Sequence, residues 1–327
     1  MASGEQIKAL LKSHVDGDDA HFFAVAMQVA AHEARLGHGK LAQELRAMID
    51  QAKTTSPSAG LQKKSIPITQ PRGELSNLLS VSYPKLRLSD IILSSRVFEG
   101  LSRLIKEQRH IQKIRSYGLC PRKKLLLVGP PGTGKTMSAS VIAGELSLPL
   151  FEVRLDSLIT KYMGETAAKL RLIFDAIQQV RGVYLFDEFD SIGAQRTTAN
   201  DVGEIRRILN SFLQLIEQDD SDNILLAATN HPELLDFALF RRFDDVLQYD
   251  LPQPQEIIKA LKAKLAAFKK ATINWEELAE FAVGLSYADI TRAAEEAIKD
   301  AIIHDRSKIT HEDLIKTMSD RKSILIK

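Results

Sequence analysis

The sequence has a single cysteine, Cys120, among its 327 residues. One thiol cannot form an intramolecular disulfide, which fits a reducing compartment. No run of about 18 apolar residues occurs, so a membrane-spanning helix is not expected. Residues 1–19 also lack an apolar stretch of the length that a signal peptide needs. We therefore expect a protein of the cytoplasm.

An excess of one charge is absent as well. Lys and Arg total 44 against 42 Asp and Glu, for a formal net charge of +2. That balance indicates neither nucleic acid nor an anionic membrane surface as a partner. Hydrophobic residues make up 44% and charged residues 26%, which is ordinary for a globular chain with a sizeable core. The length predicts two domains, or one domain with appendages.

The first part of the chain predicts helices and then a linker. Residues 4–52 carry three apolar stripes at helical spacing, separated by Gly17 and Gly37, so residues 1–52 are expected to form a small helical bundle that binds a client, adaptor or other partner. Residues 53–87 include a stretch rich in Ser and Thr and the prolines at 67 and 71, and are interpreted as a linker. A helical stretch is expected over about 88–117.

After Pro121 the pattern becomes an alternation of short apolar runs with helical segments. This alternation predicts an α/β fold with a five-stranded parallel sheet that is covered on both faces. The predicted strands are 125–128, 150–153, 183–186, 224–227 and 246–249. From residue 252 the chain is predicted to be helical, and Ser286 and Thr310 each stand three residues before an aspartate, at the spacing of a capping box.

A glycine-rich loop follows the first predicted strand and opens a helical segment. Its pattern is G-x-x-x-x-G-K-T, whose glycines let backbone N–H groups face phosphate oxygens at a helix N-terminus. We expect Lys135 to reach the β- and γ-phosphates of ATP and Thr136 to bind Mg²⁺. The loop consists of Gly129, Pro130, Pro131, Gly132, Thr133, Gly134, Lys135 and Thr136.

Two further strands are expected to end in polar residues of this site. Asp187 and Glu188 follow the run 183–186. Asp187 is predicted to hold Mg²⁺, and Glu188 to orient and deprotonate the attacking water, because a carboxylate bound to the metal is a poor base. Asn230 follows the run 224–227 and could contact that water or the γ-phosphate; by itself it could equally be a turn residue before His231.

Six motifs stand in order along residues 88–318, and together they resemble the ATPase module of the AAA clade of AAA+ proteins. The motifs are 129–136, 161–166, 185–190, 229–230, 235–244 and 284–290. The resemblance implies a large α/β subdomain over 88–250 and a small helical lid over 251–327. It also implies a homo-oligomeric ring, usually a hexamer, with ATP at each subunit interface.

The same resemblance assigns further residues. Arg241 and Arg242 match the arginine fingers that reach the γ-phosphate of the neighbouring subunit, and Asn230 matches the sensor of that phosphate. Met137, directly after the loop, and Ala288, in the lid, would contact the nucleotide. Tyr287 stands where the family commonly has glycine, which puts the packing of the nucleotide against the lid in question.

A loop with an exposed aromatic is implied at the pore of the ring, formed by Lys161, Tyr162 and Met163. An aromatic followed by an apolar side chain can grip an extended polypeptide without reading its sequence. A pore that follows a nucleic acid backbone would rather present Lys and Arg. The loop therefore favours a protein substrate, although Lys161 leaves the alternative open.

We interpret the chain as an ATP-driven ring that remodels or unfolds a protein through its pore. One alternative is a nucleotide-dependent switch that regulates a separately encoded effector such as a protease, because the chain looks like the compact ATPases of bacterial plasmid-maintenance or phage-defence cassettes. A DNA-acting loader is a further alternative. No H-E-x-x-H or G-x-S-x-G motif occurs, so any proteolysis would come from another chain.

Overall fold

The computed structural model describes residues 8, 19–35, 38–55, 71, 73–158, 163–189, 199–234, 240–268 and 271–325. The chain divides into two compact units, and the boundary along the sequence falls between residues 68 and 69. Within the described part, no helix has the length and apolar character needed to cross a membrane.

The described residues of the first unit include two helices, α1 (Asp19–Arg35) and α2 (Gly39–Thr55), which pack against each other. Their shared interior is apolar and includes Val25, Val29 and Ile49. The buried Glu33 accepts a hydrogen bond from the ring of His38 in the turn between the helices, at 2.7 Å. Of the first predicted helical segment, which precedes Gly17, only Lys8 belongs to the described residues.

The second unit combines a sheet with helices and a helical end. Its elements in chain order are α3 (Leu75–Leu78), β1 (Leu79–Ser82), a 3₁₀ turn (Leu88–Asp90), α4 (Ser95–Arg109), α5 (Ile111–Ser116), β2 (Lys124–Val128), α6 (Lys135–Leu146), β3 (Leu150–Val153), α7 (Leu155–Leu158), α8 (Met163–Gln179), β4 (Val183–Phe186), α9 (Ala199–Gln218), β5 (Ile224–Thr229), a 3₁₀ turn (Pro232–Leu234), β6 (Asp245–Gln248), α10 (Pro254–Lys264), α11 (Trp275–Ala282), α12 (Tyr287–Ile303) and α13 (His311–Leu325).

The strands form one six-stranded sheet in the order β1-β3-β4-β5-β2-β6. All neighbours are parallel except the edge pair, in which β1 runs antiparallel to β3. The predicted α/β fold and its parallel sheet are confirmed. The central strands are buried along their whole length, as expected for a sheet with helices on both faces.

Strand β1 corrects the expectation of five strands and of a linker that continues to residue 87. Leu78 and Leu79 are 1% and 4% exposed and join the core of the sheet. Leu79 lies opposite Val153, and Ser82 lies opposite Leu150. A four-residue edge strand with serines at alternate positions carries too weak a pattern to be distinguished from a linker. The helix expected over 88–117 is likewise divided, into a 3₁₀ turn, α4 and α5.

The helical end, α10 to α13, has its own apolar core around Leu261, Leu278 and Leu314. Ser286 accepts a hydrogen bond from Asp289 N, and Asp289 accepts one from Ser286 N, so the predicted capping box is confirmed. Thr310 and Asp313 bond reciprocally in the same way at the start of α13.

Candidate active site

Three of the predicted polar segments lie together at the carboxyl ends of the parallel strands, along one edge of the sheet. Strands β4, β5 and β2 are neighbours and run parallel, so their carboxyl ends lie side by side. The loop 129–136 follows β2, Asp187 and Glu188 follow β4, and Asn230 follows β5. Ligands of open parallel sheets bind at this edge, outside the carboxyl ends of the strands.

The loop after β2 needs glycine at two points where another part of the chain comes close. Gly129 has φ of 150°, and a Cβ there would lie 2.1 Å from the carbonyl oxygen of Tyr249. Gly132 has φ of 75°, and a Cβ there would lie 2.5 Å from the hydroxyl oxygen of Ser286. The loop then enters α6 at Lys135, so the first backbone N–H groups of this helix, which have no acceptor within the helix itself, lie at the site.

Lys135 is drawn into the loop and toward β5. Its ammonium group donates hydrogen bonds to the carbonyl oxygens of Gly129 and Pro130, at 2.7 and 2.8 Å, and to Oδ1 of Asn230, at 2.8 Å. The residue is 6% exposed. The structure therefore brings Lys135 and Asn230 into direct contact, although 95 positions separate them in the sequence.

Thr136 and Asp187 form the second contact across the site. The Thr136 hydroxyl donates to Oδ2 of Asp187 at 2.6 Å. A hydroxyl and a carboxylate oxygen placed together suit Mg²⁺, which prefers oxygen ligands and binds proteins through only one or two side chains. These two residues fit the predicted metal. Elsewhere in the described residues, no group of three or more His, Cys, Asp or Glu side chains is arranged to hold a metal ion.

Glu188 has an uncommon backbone conformation. Its φ of 52° lies in the left-handed region that side chains other than glycine, asparagine and aspartate rarely adopt. Its N–H donates to Oδ1 of Asp187 at 2.9 Å, and the next N–H, of Phe189, donates to the carbonyl of Ala228 at 2.9 Å. Phe189 is fully buried and anchors the turn. This turn leaves the Glu188 side chain exposed at the edge of the sheet, and such strain is typical of functional positions.

The helical end touches the loop directly. The N–H of Ala288 donates to the carbonyl of Gly132 at 3.1 Å. Tyr287, the departure from the family pattern, is turned toward α10, where its hydroxyl donates to Glu256 at 3.2 Å. Burial raises the pKa of this phenol, which therefore stays protonated. Met137 is 39% exposed, in the first turn of α6.

Arg241 and Arg242 lie beside the amino ends of the parallel strands, at the opposite end of the sheet from the phosphate loop. They precede β6, and the first residue of β6, Asp245, is opposite Leu125 near the start of β2. The phosphate loop follows the end of β2, so the sheet separates it from the arginines of the same chain. Arg242 is paired with Glu217 at the end of α9, whereas Arg241 is exposed.

The predicted pore loop falls mostly outside the described residues. Lys161 and Tyr162 lie outside them, and Met163 is described only as the first residue of α8.

Three residues near the loop were not singled out by sequence reasoning. Ile91 and Leu93 have side chains that would lie 3.6 Å from a Cβ on Gly134, and Tyr249 packs behind Gly129. Ile91 and Leu93 are ordinary apolar residues, and Tyr249, which directly follows β6, was counted only as the end of the predicted strand 246–249. No local signal in the sequence marks any of them.

Comparisons with known proteins agree with this geometry. Residues 125–251 match the family described as "ATPase family associated with various cellular activities (AAA)". The chain is 37% identical over 322 residues to an uncharacterized AAA family ATPase, y4kL, of Sinorhizobium fredii, covering 98% of this chain and 96% of that protein.

More distant relatives are longer than the matched region. The ATP-dependent zinc metalloprotease FtsH of Helicobacter felis is 33% identical over 69% of this chain and 37% of its own length. The proteasome-activating nucleotidase of Pyrococcus furiosus is 32% identical over 73% of this chain and 62% of its own length. Among solved structures, the FIGL-1 AAA domain superposes with a TM-score of 0.61 at 25% identity, covering 81% of this chain and 91% of that chain.

Proposed function

The chain belongs to the AAA family of ATPases, which bind and hydrolyse ATP, and from that premise we propose that it uses hydrolysis at residues 129–136 to remodel a protein. The loop amides and Lys135 hold the β- and γ-phosphates. Thr136 and Asp187 would hold Mg²⁺, which would neutralise charge on the phosphate oxygens. Met137 and Ala288 contact the nucleotide from either side of the loop.

Glu188 acts as the general base in this proposal. It accepts a proton from the water that attacks the γ-phosphate, while Asp187 remains with the metal. Asn230 senses the γ-phosphate. Its hydrogen bond to Lys135 supports that role, because a phosphate that attracts Lys135 would change the partner of Asn230.

The position of Arg241 and Arg242 supports an assembly of several subunits. Both arginines precede β6, at the amino ends of the strands, whereas the phosphate loop follows the carboxyl end of β2. Because the sheet separates these arginines from the phosphate loop of their own chain, a guanidinium group there is placed to serve the phosphate of a neighbouring subunit. We propose a homo-oligomeric ring, with six subunits, in which Arg241 completes the active site of the next subunit. Arg242 lies beside it and is held by Glu217.

The remodelling role is supported by the residues that lead into α8. Lys161, Tyr162 and Met163 would line the pore and grip a polypeptide by apolar burial. Helix α2 offers a second contact surface, since Leu41 and Met48 are 45% and 63% exposed and stand seven residues apart, on one face. We propose that residues 1–52 select the partner, and that 88–250 and 251–327 form the ATPase body and its lid.

Stimulation of ATP hydrolysis by an unfolded protein tests this role. Casein should raise the ATPase rate and single-stranded DNA should not, and Tyr162→Ala should remove the response to casein while leaving the unstimulated rate within about twofold, because it changes no residue of the phosphate site. Stimulation by DNA alone would contradict the proposal.

A second candidate is a nucleotide switch for a separately encoded protease. It is favoured by the names of two relatives, a metalloprotease and a proteasome-activating nucleotidase, because this chain itself has no H-E-x-x-H motif. Glu188→Gln rings, loaded with ATP, should retain such an effector in a pull-down from the native host, with Lys135→Ala as the control that binds no ATP. In a switch, Tyr162→Ala would leave regulation of that effector intact.

A further inference from the structure

Tyr249 lies directly behind the phosphate loop and is 2% exposed. Its N–H donates to the carbonyl of Val128, the last residue of β2, at 2.7 Å. Its own carbonyl oxygen occupies the space that a side chain on Gly129 would need. The backbone of Tyr249 therefore sets the position of the first residue of the loop.

The phenol of Tyr249 reaches the other end of the same loop. Its hydroxyl donates to the hydroxyl oxygen of Ser138 at 2.8 Å, and Ser138 donates in turn to the carbonyl of Gly134 at 2.9 Å. Ser138 is fully buried. Burial raises the pKa of the Tyr249 phenol, so the group stays a hydrogen-bond donor. Two hydrogen bonds in series thus connect Tyr249 to the residue before Lys135.

A phosphate loop binds through the directions of its backbone N–H groups, so the positions of both ends decide how well those groups converge. Tyr249 holds Gly129 through its backbone and Gly134 through Ser138. We propose that Tyr249 is a positioning residue that keeps the loop in the shape that binds nucleotide. This inference rests on the proposed assignment of residues 129–136 to the phosphates of ATP.

The same residue also joins the loop to the helical end. Tyr249 precedes α10 by five positions, and α10 begins at Pro254 with a capping box between Gln253 and Glu256. The middle of the loop, at Gly132, is contacted by Ala288 from α12. Tyr249 therefore lies in the short segment that connects the sheet beside the loop to the helical end.

Removing one hydroxyl tests the proposal. In the full chain, Tyr249→Phe and Ser138→Ala should each weaken ADP binding roughly three- to tenfold, the range that an ordinary hydrogen bond gives. The double variant should bind ADP no more weakly than Ser138→Ala, because Ser138→Ala already removes the hydrogen bond that Tyr249→Phe removes, together with the one to Gly134. Isothermal titration calorimetry measures the Kd, and the ATPase assay should show the change in KM rather than in kcat.

Tyr184 supplies a matched control for packing. It is 1% exposed on β4, and its hydroxyl donates to the carbonyl of Val180 at 2.8 Å, away from the loop. Tyr184→Phe makes the same chemical change in the same sheet. It should lower the Tm comparably and leave the Kd for ADP unchanged.

Two results would overturn the inference. One is wild-type ADP affinity in Tyr249→Phe, whatever its Tm; the other is a double variant whose loss equals the combined losses of the singles. Lys135→Ala separates this inference from the proposed site, since it should abolish ADP binding. If Lys135→Ala binds ADP normally, the site assignment fails; if only Tyr249→Phe binds normally, the positioning role alone fails.

Discussion

At the scale of single residues, the site is organised by side chains whose partners come from other elements. Lys135 is nearly buried, and three oxygen atoms, two from the loop and one from Asn230, accept its N–H groups. An ammonium group is costly to bury unless its donors are satisfied, so these contacts allow a charged lysine to stay inside the loop.

Glu188→Gln should separate nucleotide binding from hydrolysis. The amide keeps the shape of the side chain and the backbone turn but cannot accept the proton of the attacking water. We expect kcat to fall by at least about 100-fold, the lower end for loss of a general base, with little change in the Kd for ATP. Phosphate release and calorimetry give the two quantities, and a variant that turns over at the normal rate would rule out Glu188 as the base.

Asp187→Asn should raise the Mg²⁺ concentration that ATP hydrolysis requires. The amide retains the hydrogen bond from Thr136 but loses the negative charge that attracts the metal. The Mg²⁺ concentration for half-maximal ATPase activity should rise by about tenfold or more, which corresponds to at least ~1.4 kcal/mol. A Mg²⁺ titration curve that coincides with that of the wild type would remove Asp187 from the metal site.

At the scale of elements, α6 is fastened to the segment that precedes α4. Arg87 donates to the carbonyl of Gly144 at 2.8 Å, and the N–H of Leu88 donates to Glu145 at 3.0 Å. Arg109 donates to the same carboxylate at 2.6 Å. Residues 87 and 88 therefore hold the carboxyl end of α6. The same segment continues to Ile91, which lies close to Gly134 at the start of α6.

Gly144→Ala should disturb this attachment. A Cβ at Gly144 would lie 2.1 Å from the backbone carbonyl of Leu86, which cannot move as a side chain can. We expect a loss of about 1–3 kcal/mol, as for other overpacked sites, measured as the free energy of unfolding in urea.

Gly100→Ala in α4 is the matched control for that substitution. Its Cβ would meet only the end of the Leu247 side chain, which can rotate, and alanine has the higher helix propensity. Gly100→Ala should change the free energy of unfolding little. If both substitutions lower it equally, the contact with Leu86 is not the cause of the destabilisation by Gly144→Ala.

Glu145 makes the same attachment dependent on pH. The Leu88 N–H, and then Arg109 and Arg87, hold the pKa of its carboxyl below the ordinary value of 4.5. A lowered pKa in the folded state adds stability above the unfolded value, and that stability is lost as pH falls through the folded pKa. Glu145→Gln should therefore lower the Tm at pH 7 but progressively less below about pH 4.5. A difference in Tm that stays constant from pH 7 to pH 3.5 would contradict this.

At the scale of the whole molecule, hydrolysis should require more than one chain. Arg241→Ala should leave ATP binding largely intact and reduce hydrolysis by about 10³-fold or more, as for other arginine fingers. Mixing this variant with Lys135→Ala chains should restore part of the activity, because some interfaces then pair an intact loop with an intact arginine. The ATPase rate across mixing ratios is the measurement.

Arg103→Ala is the control for that experiment, since Arg103 pairs with Glu107 on its own helix. It should have wild-type activity alone. Absence of rescue at every ratio of Arg241→Ala to Lys135→Ala would count against a shared site.

The sequence was most informative where a local pattern has one physical cause. The loop 129–136 and the capping box of Ser286 are such patterns, because the chemistry of each lies within a few consecutive residues. Strand β1 was missed, since four residues with alternating serines resemble a linker until Leu79 is seen opposite Val153. Tyr249 was counted as a strand residue, because nothing in its neighbours indicates that its hydroxyl meets Ser138, 111 positions away.

By itself the sequence determined the α/β class, the order of the motifs and the family to which the chain belongs, because periodicity and motif spacing are written along the chain. Only the tertiary structure decided which of those residues meet. The strand order places β2 between β5 and β6, so Asn230 lies beside Lys135, whereas the segment before β6 carries Arg241 to the opposite edge of the sheet. Strand order results from the packing of distant segments, and no local stretch of sequence encodes it.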